Sequence, residues 1–100
     1  MIDYDLSRRA VRDIEAAQDW YDTNKGIQSG NEFFDDVLLA IRAAREHPQR
    51  YPEVELEVRG LRCSRFPYRV YYEVRPDKIV IRAVYHTSRD PAQWDDPNRQ

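Results

Sequence analysis

The apolar residues of this chain change their spacing at Pro48, and that change limits the folds open to it. From Ala10 to Pro48 they recur with a helical period. Ala10, Ile14, Ala17 and Tyr21 mark one face, with Val11 and Trp20 beside it. Phe33, Phe34, Val37, Leu38, Ile41 and Ala44 mark a second. After Pro48 the pattern alternates, as along strands. Two amphipathic helices followed by a set of strands have one economical solution, in which a helical hairpin covers one face of a sheet.

The punctuation agrees. Ile2, Tyr4 and Leu6 alternate with Asp3 and Asp5, which predicts a short N-terminal strand, and Ser7 is placed to cap the helix that follows. Asn24, Lys25 and Gly26 end that helix, with Gly26 suited to a left-handed cap. Residues 27–30 read as a short connector. A second helix is expected over 31–47, capped by Asn31, with Asp35 and Asp36 near its positive end and Pro48 stopping it. A connector this short makes the helices an antiparallel hairpin.

Beyond a loop at 49–52, Val54, Leu56 and Val58 alternate with Glu53, Glu55 and Glu57, so an irregular strand begins there and Gly60 breaks or bulges it. Residues 61–66, 68–74 and 79–85 then form a three-strand meander, with residues 75–78 as the last turn. The fold class is therefore α+β: an N-terminal strand, an antiparallel helical hairpin and a mostly antiparallel sheet, in the order β-α-α-β-β-β. The alternation puts Val70, Tyr72 and Val74 against the helices, with Arg69, Tyr71 and Glu73 on an open face. One hundred residues make one domain with a modest core. Its tail from about residue 87 is polar and reads as irregular, with Trp94 as an anchor. The sequence contains no internal repeat.

Charge supplies the first functional clue. The whole chain carries a net charge of −2, yet the segment 58–89 holds eight basic residues against two acidic ones. Arg62, Arg65, Arg69, Arg82 and Arg89 thus form a basic surface suited to an acidic partner, rather than a solvated face whose arginine stems only cover apolar area. The overall acidity argues against general binding to nucleic acid. Trp20, Tyr21 and Phe34 are the apolar candidates for a partner site. His86 can be read as a general acid or base. The favoured reading is a hydrogen-bonded histidine at a sheet edge, because no second proton-transfer group stands at a recognisable spacing. Tyr68, Tyr71, Tyr72 and Tyr85 could stack on bases, but packing within the sheet is the simpler role for most of them. Cys63 stands alone, so no internal disulfide forms, and it reads as a small buried residue rather than a nucleophile. No metal or cofactor pattern is present. No apolar run reaches membrane-spanning length, and a cytoplasmic location is expected.

Several pieces, taken in order, carry a resemblance. They are Tyr4-Asp5-Leu6-Ser7, Asp19-Trp20-Tyr21, His47-Pro48 and Tyr51-Pro52. Arg65-Phe66-Pro67-Tyr68-Arg69-Val70 follows ahead of Tyr72, and Ala83-Val84-Tyr85-His86 runs into Arg89-Asp90-Pro91 and Trp94. Together they resemble the ParE/RelE superfamily of toxins from type II toxin–antitoxin systems, with Phe66-Pro67-Tyr68 and the residues after His86 closer to the ParE-like branch. That resemblance implies an inhibitor of DNA gyrase neutralised by the C-terminal segment of a cognate antitoxin, working as a homodimer or a toxin–antitoxin heterotetramer. It implies no cofactor. The alternatives are a RelE-like ribosome-dependent mRNA endoribonuclease using Arg62 or Arg65, His86 and Arg89, and a non-toxic binding relative. Against the nuclease stand Trp94 near the position of the family's tyrosine, and Glu53, Glu55 and Glu57 where such nucleases are lysine-rich.

Overall fold

The computed structural model describes residues 1–88. Arg89, Trp94 and the tail expected from about residue 87 lie outside that range, apart from Thr87 and Ser88. Seven elements follow one another: β1 (Asp3–Leu6), α1 (Arg8–Lys25), α2 (Ile27–Glu46), β2 (Glu53–Glu55), β3 (Val58–Arg62), β4 (Tyr68–Val74) and β5 (Lys78–His86). The strands form one sheet in the order β1-β5-β4-β3-β2. β1 runs parallel to β5, and every other pairing is antiparallel. The α+β architecture expected from the pattern is the one formed.

Ser7 shows how local chemistry starts a helix and joins it to the sheet. Its hydroxyl accepts the Ala10 N–H at 3.0 Å, as a cap should, and donates to the Arg82 carbonyl at 3.1 Å. Its own N–H reaches the Ile81 carbonyl at 2.9 Å. Past Leu6 the edge of β5 has no strand beside it among the described residues. Asp13 of α1 fills that gap by accepting the Val84 N–H at 3.0 Å.

Two boundaries differ from expectation. Residues 27–30 are the first turn of α2 rather than a connector, and Asn31 lies inside the helix and caps nothing. Gly26 alone joins the helices, at φ 101°, a conformation only glycine adopts without strain. Gly30 is then needed where the helices meet, because an added Cβ would collide with the Asp22 carboxylate. The second difference is in the sheet. The strand expected at 61–66 begins at Val58 and ends at Arg62, and residues 63–67 are loop. The irregular stretch before it is a separate hairpin, β2 to β3, turning through Leu56 and Glu57, with Glu57 at φ 65°. Four strands therefore follow the helices, not three. Gly60 does not break β3. It stands opposite Tyr71, where an added Cβ would press on the ring at 3.1 Å.

The core explains the apolar pattern. Ala10, Ile14 and Ala17 of α1 and Phe33, Val37, Ile41 and Ala44 of α2 are buried against Leu61, Val70, Tyr72, Ile79, Ile81 and Val84. Ile79 and Ile81 share a parity that Val84 does not, so a regular strand could not turn all three inward. Pairing shifts from Tyr71↔Ala83 to Tyr72↔Ile81, which leaves Arg82 as an extra residue, and this bulge resets the alternation. As expected, Val70, Tyr72 and Val74 pack on the helix side. The opposite face is not wholly open, because Tyr71 is buried there with Val58, Ala83 and Tyr85.

Candidate functional site

The structure takes apart most of the basic segment. Arg59 binds Glu53 at 3.4 Å, Arg65 binds Glu32 at 2.7 Å, and Lys78 binds Asp5 at 2.7 Å. Arg75 and Arg82 share Glu73, at 3.1 and 3.8 Å. Five of the eight basic residues are thus paired within the fold, and Arg89 lies outside the described residues. Arg62 and Arg69 remain, and among the described residues neither has an ion-pair partner.

These two arginines stand directly opposite each other, on β3 and β4. The register makes theirs a pair without mutual backbone hydrogen bonds, the closer of the two antiparallel geometries. Like charges so placed destabilise a sheet. No acid relieves this pair within the described residues, so the arrangement is suited to an anionic group supplied from outside.

Beside them a cleft of about 330 Å³ opens between α2 and the edge of β3, walled by Leu39, Ala40, Ala43, Tyr51 and Leu61, with Arg62 and Arg69 at its rim. Leu39 is 59% exposed there.

The loop between β3 and β4 is held by a residue that sequence reasoning assigned to a lesser role. The sequence puts Asp36 near the positive end of α2, but the helix begins at Ile27 and Asp36 lies in its third turn, away from that end. In the fold it is 2% exposed, and one oxygen accepts the backbone N–H groups of Arg65 at 2.9 Å and Phe66 at 2.8 Å. This seats Phe66 in an aromatic cluster, 5.0 Å from Tyr21 and 5.7 Å from Phe33 between ring centroids, with Tyr68 4.9 Å from Phe33. The only sequence signal was an acid at a position sharing the buried side of α2 with Phe33, Val37 and Ala40. Cys63 is buried in the same region. Desolvation, with the Asp36 charge adding to it, pushes its thiol pKa up to about 12, so the group stays protonated and a poor nucleophile.

The remaining candidates are scattered. Trp20 is 52% exposed and lines a second groove with Asp13, Ala16, Tyr85 and His86, on the β5 side of α1. Phe34, 37% exposed, lies on the flank of α2 that carries Leu38 and Gly30, where Gly30 meets Asp22 of α1. Tyr21 between them stacks on Phe33 at 5.4 Å and belongs to the core boundary. Trp20 and Tyr21 meet edge-on at 5.1 Å between ring centroids on α1, while Phe34 stands on α2. His86 packs edge-on against Tyr68 at 5.3 Å, and its Nδ1 accepts the Ser88 N–H at 3.0 Å. It projects toward α1, whereas Arg62 and Arg69 project from the other face of the sheet. Arg82 is nearly enclosed, beside Glu73.

The comparisons with known proteins agree with this fold. The family described as ParE toxin of type II toxin-antitoxin system, parDE, matches residues 4–91. Among solved structures, one described as the chromosomal ParDE TA system from P. aeruginosa superposes with a TM-score of 0.76 at 20% sequence identity. The alignment covers 86% of this chain and 96% of that one. At that identity the likeness is one of fold. No curated protein matches the sequence significantly.

Proposed function

The chain belongs to the ParE toxin family of type II toxin–antitoxin systems, and from that premise we propose that it acts by gripping a protein target, DNA gyrase, and cuts no RNA. The observation that carries this reading is the division of its candidate groups between the two faces of the sheet. A phosphodiester-cleaving site needs a proton-transfer group within hydrogen-bond reach of the bond its cations stabilise. Here His86 faces α1 and holds Ser88, the Arg65 guanidinium is tied to Glu32, and Arg62 with Arg69 face away from His86. Two uncompensated arginines beside an apolar cleft are instead equipment for recognising a protein surface, because arginine binds carboxylates through a fixed fork of donors.

A cognate antitoxin is the partner that membership of such a family implies. Trp20 and Phe34, which expose apolar surface on separate flanks of the helical hairpin, are the side chains we assign to its contact, together with the Arg62/Arg69 rim. A segment reaching both flanks has to wrap the hairpin, as antitoxin C-terminal segments that fold on binding can. A free toxin with these surfaces uncovered would associate as a homodimer, and with its antitoxin as a heterotetramer. No helix among the described residues is long and apolar enough to cross a membrane.

The test is a supercoiling assay with purified gyrase, paired with primer extension on translated mRNA. Inhibition of gyrase that is lost in an Arg62→Ala/Arg69→Ala double variant supports the proposal. Untouched gyrase together with codon-specific cuts in the mRNA would overturn it.

A further inference from the structure

Ser64 stands exposed on the loop between β3 and β4, and its hydroxyl makes no hydrogen bond with any described residue. The backbone on both sides of it is fixed. The Cys63 N–H donates to the Tyr68 carbonyl at 2.8 Å, which continues the ladder one residue past Arg62, and Asp36 accepts the Arg65 and Phe66 N–H groups. Cys63 points into the core. Alternation then returns Ser64 to the face of Arg62, two residues before it, and of Arg69 opposite. Ser64, Arg62 and Arg69 all border the same cleft. The Arg62 guanidinium leans along the loop and donates to the Cys63 carbonyl at 3.4 Å, beside Ser64. Past Arg59 β2 no longer pairs with β3, so this rim is open to an enzyme as well as to water.

We propose that Ser64 is a phosphorylation site, and that its phosphate closes the Arg62/Arg69 pair and releases the protein's hold on its target. The donor is ATP, delivered by a serine kinase that prefers basic sequences. The Ser64 hydroxyl gives its proton to the kinase's base and its oxygen bonds to the γ-phosphorus. The bond from that phosphorus to the bridging oxygen breaks, and ADP leaves. Arg62, two residues before the serine, and Arg65, one after it, offer such an enzyme the charge pattern it reads. The product changes the local electrostatics. Two arginines directly opposite each other repel. A phosphoserine dianion beside them replaces that repulsion with charge-assisted hydrogen bonds to its three oxygens. The same bonds occupy both guanidinium forks, so a partner's carboxylate finds neither free. One modification therefore stabilises the fold and disarms it.

The other serines lack this setting. The Ser7 hydroxyl caps α1 and bonds the Arg82 carbonyl. Ser29 lies in the first turn of α2, and the Ser88 hydroxyl is engaged with His86 at 2.9 Å. The inference deepens the reading above and rests on it, since it regulates the arginines by which the protein grips its target.

The experiment uses the full chain with phosphoserine installed at residue 64 during translation, through an amber codon. Phosphoserine loses its second proton at about pH 6. The two arginines should lower that midpoint by at least about 0.5 in a 31P NMR titration, and Arg69→Ala should restore it. The phosphoprotein should melt about 5 °C above the unmodified chain and inhibit gyrase at least tenfold less. Alkaline phosphatase should reverse both changes. Transfer is tested on the unmodified chain with ATP and the catalytic subunit of cyclic-AMP-dependent protein kinase, followed by tryptic mass mapping. Phosphate should appear on Ser64, and Ser64→Ala should take none. A midpoint that is unshifted, a phosphoprotein that inhibits gyrase as well as the parent, or no phosphate on Ser64 overturns the proposal. So does inorganic phosphate that raises the melting temperature of Ser64→Ala as far as the covalent group raises that of the parent, because the arginines then take any phosphate. A shifted midpoint and a raised melting temperature in a protein that leaves gyrase untouched in both states remove the gyrase reading and keep the modification site.

Discussion

Asp36→Ala should be among the most damaging single changes in this protein that removes little apolar volume. The Asp36 side chain is enclosed, and one of its oxygens accepts both the Arg65 and Phe66 N–H groups. Truncation leaves two donors without an acceptor, at about 1–3 kcal/mol each. Water can reach the Arg65 side of the loop, since its side chain is 63% exposed, so the lower part of that range applies. A loss of about 3 kcal/mol corresponds to a fall in Tm of about 15 °C for a domain of this size. Asp36→Asn should cost less than half as much. Its amide oxygen can keep both bonds, and its NH2 takes the place of the other carboxylate oxygen, which has no hydrogen-bond partner. Urea denaturation gives the free energies, and amide hydrogen exchange locates them. The Arg65 and Phe66 amides should lose protection in Asp36→Ala before the β4–β5 ladder does. Asp36→Ala within 1 kcal/mol of the parent, or equal to Asp36→Asn, would refute the account of this loop as held by one carboxylate.

Four further outcomes are expected. Arg62→Glu should raise stability by about 0.5 kcal/mol in urea titration by pairing with Arg69 across the strands, while abolishing toxicity in a growth assay. Glu57→Gly should stabilise by about 1 kcal/mol, because Glu57 holds a φ of 65° in the β2–β3 turn where glycine pays no steric penalty. His86→Ala should leave toxicity on plates unchanged, since its Nδ1 is engaged by Ser88 and it faces away from Arg62. Burial raises the Cys63 pKa from 9.0 to about 12, so the folded state holds that proton more tightly than the unfolded one. The stability this contributes is complete below pH 9.0 and is lost as pH rises toward 12, and Cys63→Ala should flatten that alkaline decline in denaturant titrations.

The elements that announce themselves in the sequence are those set by local rules. The helical period of Ala10, Ile14 and Ala17, the Ser7 cap, the stop at Pro48 and the alternation over Tyr68–Val74 each depend on residues within a few positions of one another. Each appears in the fold as read. The misread boundaries have physical causes. Gly26 can turn the chain alone because φ 101° is open to it, so no connector was needed, and residues 27–30 were free to continue as helix. The start of β3 was hidden because Glu57 turns with a positive φ that sequence gives no reason to assign to glutamate.

The candidate site divides along the same line. Sequence alone determines that basic residues are concentrated in 58–89, since a count needs no coordinates. Which of them are free is decided by partners far away along the chain: Glu32 for Arg65, and Asp5 for Lys78. The same holds for Asp36, whose carboxylate meets the loop 29 and 30 residues onward. A period identifies the face a side chain shares, but an ion pair forms only where packing brings the two charges within a few ångströms. The surplus charge was therefore written in the sequence, and the tertiary structure alone reduced it, within the described residues, to Arg62 and Arg69 beside an open strand edge.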